Sequence, residues 1–218
     1  MGDFVNFTNV SRYPLDPHYK KSFSEELDDC RSLFYKLVSC IRKANPDCVI
    51  EWIEGNHEER LSKYLVRDSV RIALMEDEQS EEMLTVPYLF KLHKNNVKWI
   101  PATQVHVIHG HAIVEHGDVS RLYSGYTAKA MIDKRNMSGF SGHTHRMAYT
   151  FRKTYTDYYF WIETGCMCNL QPEPSYVKSP NWQNGWVVGS YNKEKGILYP
   201  TVIPIINNSF YFEGKLYA

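Results

Sequence analysis

The chain has 218 residues, with 25 basic and 25 acidic side chains, 43% hydrophobic and 14% aromatic content. That length buries a sizeable core, and this composition excludes a disordered chain. No apolar run approaches the roughly 18–20 residues that span a bilayer, and zero net charge supplies no global attraction to nucleic acid or an anionic membrane, so such binding would need a local patch.

The five cysteines, Cys30, Cys40, Cys48, Cys166 and Cys168, are odd in number and lack a C-x-x-C pair. Neither a disulfide framework nor a zinc knuckle is expected, and a reducing compartment follows. The N-terminus has no basic segment followed by an apolar core, which argues against a secretory signal. Gly2 has Asn6 where a myristoylation motif wants Ser or Thr. The expected location is cytoplasmic, without a membrane partner.

No repeat or Gly/Ser/Pro linker divides the chain, so a single domain over 1–218 is the simplest organisation. The spacing of Phe23, Leu27, Cys30, Phe34, Leu37 and Ile41 predicts a helix over 22–44, opened by a Ser22/Glu25 capping box and stopped by Asn45-Pro46. Residues 48–53 read as a strand that ends at Gly55, followed by a helix over 58–67. Residues 76–82 are acidic and read as solvated. Residues 104–109 read as a strand stopping at Gly110, and a helix covers part of 120–135. Short strands follow over 148–152, 158–163, 186–191, 197–206 and 209–212. The front of the chain is α/β and the back β-rich.

Six of the nine histidines lie between His106 and His145. In Gly142-His143-Thr144-His145, an extended H-x-H would point both imidazoles one way, toward one metal or two adjacent ones. Gly55-Asn56-His57-Glu58 sits where a strand yields to a helix, the usual place for a site in an α/β sheet. Gly2-Asp3 and the strand-end His109 are further candidates. Each has a plainer reading alone: His57 as a cap, His109 as a core histidine, Asp3 as a frayed surface acid. His106 reads as structural, His111 as structural or pocket-lining, and His18, His93 and His116 as surface residues.

Taken together, Gly-Asp, Gly-Asn-His-Glu, a strand-end His and Gly-His-x-His, in that order, resemble the calcineurin-like metallophosphoesterase superfamily. Tyr64-Leu65, 124–128, Gly142–Arg146, Glu163–Cys166 and 180–185 look like a branch common in phages and prophages, so the location would be a host cytoplasm. The resemblance implies a two-sheet β-sandwich flanked by helices, layered α/β/β/α. It implies that Asp3 bridges two metal ions, that Asn56, His109 and His143 complete one site, and that His145 serves the other. His57 would stabilise or protonate the leaving oxygen, with Glu58 orienting its imidazole. Arg60 and Arg146 would contact substrate. The centre would be dinuclear, with Mn²⁺ the first expectation and Fe, Zn or Ni the alternatives, and would activate a water for attack on phosphorus.

The superfamily opens with an Asp-x-His motif ahead of its Gly-Asp, whereas this chain begins at the Gly-Asp. The expectation is therefore a fold without its first strand and an incomplete first metal site, with three explanations open: a start at an internal Met, a first segment supplied by an N-terminal complementing fragment (or pairing as a homo-oligomer), or a natural relative that is inactive or binds one ion in place of two. Asn6 also replaces the second Asp of Gly-Asp-x-x-Asp. The expected activity is metal-dependent phosphoesterase, on phosphodiesters and nucleic acid in particular. The alternative is a catalytically impaired metal- or nucleic-acid-binding relative. Arg60, Lys63, Arg67 and Arg71 could track a phosphate backbone, although a solvated helix face is the plainer reading. Trp182 and Trp186, beside a Pro-rich stretch, could stack on bases or pack a core.

Overall fold

Ser22 opens the longest helix, α1 (Phe23–Ala44), through the capping box its sequence encodes: its side chain accepts the Glu25 amide, and the Glu25 carboxylate accepts the Ser22 amide at 2.8 Å. The computed structural model describes residues 2–170 and 180–218. The protein is mixed α/β, and its internal contacts divide it into two units, Met1–Gln104 and Val105–Ala218. Among the described residues no helix is long and apolar enough to cross a membrane.

In the first unit, α1 buries Leu27, Phe34 and Val38 against Val5, Phe7, Trp52, Leu61, Leu65 and Phe90. Strand β1 (Ile50–Ile53) pairs in parallel with β2 (Val97–Ile100), Ile50 opposite Val97 and Ile53 opposite Ile100. Between them lie α2 (Glu59–Asp68), α3 (Val70–Ala73) and α4 (Val86–Leu89). Leu61 and Leu65, four apart, form the buried face of α2. Phe4 and Phe90 stand edge-on to Trp52 at 5.0 and 4.9 Å between ring centroids, so the N-terminal segment is part of this core.

The second unit holds a five-stranded sheet. β3 (His106–Ile108) is antiparallel to β4 (Ala112–Val114), which is parallel to β5 (Ser138–Ser141). β5 is parallel to β7 (Tyr158–Thr164), and β6 (Met147–Lys153) closes the edge antiparallel to β7. Helix α5 (Tyr126–Arg135) connects β4 to β5. Alternation decides the two faces: Ile113 and Trp161 pack with Ala128, Met131 and Ile132 of α5, while Ala112, Phe140, Phe160 and Ile162 point the other way. On that second face lie Val187 of β8 (Gly185–Asn192) and Leu198 and Val202 of β9 (Ile197–Pro204), an antiparallel hairpin. A small hairpin, β10 (Phe210–Phe212) with β11 (Lys215–Tyr217), ends the chain.

The predicted helices over 22–44 and 58–67 and the strands of the back half stand close to their expected places. Strands β2, β4, β5 and β11 were not anticipated. β4 and β5 are short, and β5 reads Ser-Gly-Phe-Ser, buried at every position and without an alternating pattern. Gly139 is required there, since a Cβ would lie 2.5 and 2.7 Å from carbons of the Trp161 ring.

Candidate functional site

In the first unit, β1 ends at Ile53 and the chain turns through Gly55-Asn56-His57-Glu58 into α2. The side chain of Glu58, 1% exposed, reaches back to the N-terminal segment. Its oxygens accept the amides of Asp3 at 2.7 Å, Phe4 at 2.7 Å, Val5 at 3.3 Å and Gly55 at 2.9 Å. Burial pushes its carboxyl up from the ordinary glutamate value, with the Asp3 charge adding to that push and the amides opposing it. Glu58 therefore braces the loop, where the sequence resemblance implies that it orients His57. Asp3 takes the orienting position: its Oδ1 accepts the His57 amide at 2.9 Å, and its Oδ2 lies 3.7 Å from His57 Nε2.

Asp3 has a φ of +56°, which the hydrogen bond donated by its backbone amide to Glu58 helps to hold. Gly55 has no alternative, because a Cβ there would sit 2.5 Å from the Asp3 amide nitrogen. Asn56 lies half-buried between these residues in sequence. Arg60 donates to the Asn6 carbonyl at 2.7 Å and to Asn6 Oδ1 at 2.8 Å. Along α2, Lys63 pairs with Glu59 and Arg67 with Asp68, as on a solvated helix face.

In the second unit, the parallel register carries Val114 opposite Phe140, and two residues further both strands end in histidine-bearing loops. The His116 carbonyl accepts the amides of Gly142 and His143, both at 3.0 Å. Nε2 of His116 faces Nδ1 of His143 at 3.1 Å. His116 is 6% exposed, which corrects its reading as a surface residue. Residues 104–109 do not supply the inner strand: β3 is the outer partner of a hairpin, and β4 after it is the strand parallel to β5.

His109 sits instead at the turn of that hairpin, exposed, with its ring stacked on Tyr191 at 4.0 Å and 2°. It is thus at the opposite end of β4 from His116. His111 Nε2 meets the Tyr191 hydroxyl at 3.1 Å. The His109–His111 turn is docked on β8.

The H-x-H geometry also differs from expectation. His145 has a φ of +56°, and its amide bonds to the Gly142 carbonyl at 3.0 Å, so the segment is a turn and not an extended strand. Thr144 points inward, donating to the fully buried Glu163 at 2.6 Å. Glu163 also accepts the amides of Gly125 at 2.9 Å and Ala128 at 3.2 Å, capping the α5 N-terminus with a negative charge. Arg146 donates to the Arg121 carbonyl.

The His145 ring stands edge-on to Trp182 at 4.5 Å, and its nitrogen lies with the sulfurs of Cys166 and Cys168 in a group whose ligand atoms are all within 4.8 Å of one another. These three residues could hold a metal ion. The two thiols share a hydrogen bond at 3.4 Å; that bond draws Cys168 down to about 7 and, with burial, pushes Cys166 up. Trp186, exposed on β8, stands edge-on to Phe210 at 5.3 Å, while the Pro-rich stretch 171–179 lies outside the described residues.

No family model, curated protein or solved structure matches this chain. The geometry of the two units therefore carries the functional reading. Sequence reasoning missed His116 and the two cysteines as partners of the Gly142–His145 loop. His116 follows the apolar Ala-Ile-Val of β4, a signal that the stronger-looking Val-Ile-His of β3 obscured.

Proposed function

We propose that the chain is a metal-dependent phosphoesterase of the calcineurin-like superfamily, with that superfamily's two-sheet α/β/β/α layering, acting on phosphodiesters and on nucleic acid in particular. The observation that carries the reading is the His116–His143 pair at the C-terminal edge of two parallel strands, the edge at which open α/β sheets hold their ligands. The donor set fits a divalent ion. Two imidazole nitrogens each about 2.0–2.1 Å from one ion, in adjacent coordination positions, stand roughly 3.0–3.4 Å apart. The two ring nitrogens here stand 3.1 Å apart.

A bound divalent ion supplies charge neutralisation at phosphorus and a water of lowered pKa. The remaining work belongs to this chain. His116 and His143 would hold the ion by ring nitrogens, with Mn²⁺ the first candidate. Glu58 holds the backbone that presents Asp3. The resemblance gives His57, which lies 3.7 Å from Asp3, the task of protonating the leaving oxygen. Glu163 holds Thr144, between His143 and His145, against α5.

The test is hydrolysis of bis-p-nitrophenyl phosphate by the purified chain with Mn²⁺, beside His116→Ala and His143→Ala. Turnover that requires the metal and falls about a hundredfold or more in both variants supports the reading. Metal binding without turnover from the folded chain overturns it in favour of a binding protein. Full activity in His116→Ala removes the observation on which it rests.

A further inference from the structure

We infer that His145, Cys166 and Cys168 form a site for a thiolate-binding divalent ion such as Zn²⁺, so that His145, which the resemblance implied as a ligand of the phosphoesterase centre, serves a chemically separate site. One nitrogen and two sulfurs gather here, with ligand atoms within 4.8 Å of one another. The sulfurs stand 3.4 Å apart. Two zinc–sulfur bonds of about 2.3 Å at a tetrahedral angle place sulfurs roughly 3.8 Å apart, so the pair reaches that geometry by opening a few tenths of an ångström.

The three residues come from two loops, and one short segment aligns them. The Gln183 amide donates to the His145 carbonyl at 2.9 Å, and the Cys166 amide donates to the Gln183 carbonyl at 3.0 Å. The Asn184 side-chain amide donates to the Cys166 carbonyl at 3.2 Å and to the Cys168 carbonyl at 2.8 Å, and it approaches Cys166 Sγ at 3.7 Å. An amide directed at a ligand sulfur is the kind of outer contact that orients and stabilises a metal-bound thiolate. Gly165, at a φ of +76°, lets the chain turn from β7 into the first cysteine, where a Cβ would lie 2.7 Å from the Gln183 carbonyl. The ligand spacing is thus held by backbone and not by the cysteines alone.

The donor set selects the ion. Thiolates favour Zn²⁺ over Mn²⁺ or Mg²⁺, and three protein ligands leave a tetrahedral fourth position for water or an exogenous ligand. Cys168 is exposed, which puts that open position within reach of solvent. The C-x-C spacing disguised the site in the sequence, because the third ligand lies 21 residues upstream of the first cysteine.

Co²⁺ alone is the probe, added to the reduced full chain and then displaced by Zn²⁺. The expected result is a thiolate-to-cobalt charge-transfer absorption that saturates at one equivalent and disappears on adding Zn²⁺. Cys168→Ser, at an exposed position and so compatible with folding, weakens the band, and the Cys166→Ser/Cys168→Ser double variant abolishes it. His145→Ala raises the dissociation constant about tenfold or more. A band that survives in the double variant places the sulfur on Cys30, Cys40 or Cys48 and overturns the proposal. So does a reduced chain, folded by circular dichroism, that shows no band. Hydrolysis is not the readout, so this result is independent of the phosphodiesterase assay.

Discussion

Thr144 Oγ1 donates to Glu163 Oε2 at 2.6 Å, and both residues are buried. The bond joins the residue between the two loop histidines to a carboxylate that also caps α5. Glu163→Ala strips one hydroxyl and two amides of their acceptor inside the core. The expected loss is about 3 kcal/mol in urea unfolding. In a double-mutant cycle with Thr144→Val, the coupling should be about 1 kcal/mol or more. A coupling near zero would mean that the loop is held by other contacts.

Glu58 plays the matching part in the first unit, accepting the amides of Asp3, Phe4, Val5 and Gly55. Glu58→Gln replaces one acceptor oxygen with an amide that points donors at donors. Stability should fall by about 3 kcal/mol. Amide exchange should accelerate at residues 3–5 and 55 ahead of α1, and uniform acceleration across the unit would contradict a local bracing role.

Gly139 lies against the indole of Trp161, whose Nε1 donates to Ser141 Oγ at 3.0 Å. Gly139→Ala forces a methyl into that ring and into the Ile113 carbonyl 2.8 Å away. Overpacking of this kind costs about 1–3 kcal/mol. Thermal unfolding of the variant at an unchanged midpoint would show that the sheet has slack at this position.

Cys30, on the buried side of α1 near Glu26, is pushed up to about 11 from 9.0, chiefly by burial. A thiol raised on folding lends stability that is fully present below its unfolded pKa and lost as pH rises through the folded value. Wild-type stability should therefore decline between pH 9 and about 11 more steeply than that of Cys30→Ala. At pH 8, iodoacetamide should modify the exposed Cys40 well before Cys30, as read by mass spectrometry. Equal labelling rates would place Cys30 in water.

The sequence by itself determined the elements whose signals are local. Ser22 and Glu25 define a helix start because both halves of the capping box lie within one turn, and the spacing of Leu27 and Phe34 marks the buried face of α1, although Val38 continues that face and the expected Leu37 is exposed. The Gly-Asn-His-Glu turn was readable because a strand, a glycine and a helix follow each other without interruption. The long strands β6 to β9 were readable as strand-like runs separated by turn residues.

Tertiary structure alone decided which histidines meet. His109 and His116 are both histidines flanking short apolar strands, and only the pairing of β4 with β5 places His116, and not His109, beside His143. The left-handed turn at His145 parted the H-x-H pair and set its second imidazole with Cys166 and Cys168, an outcome fixed by Gln183 and Asn184 from a distant stretch of chain. Backbone bonds between residues far apart in sequence leave no local pattern, because each donor and acceptor is an ordinary amide whose partner is chosen by register. Glu58 and Glu163 follow the same rule: a carboxylate becomes a buried brace only when the fold brings several unpaired amides to it.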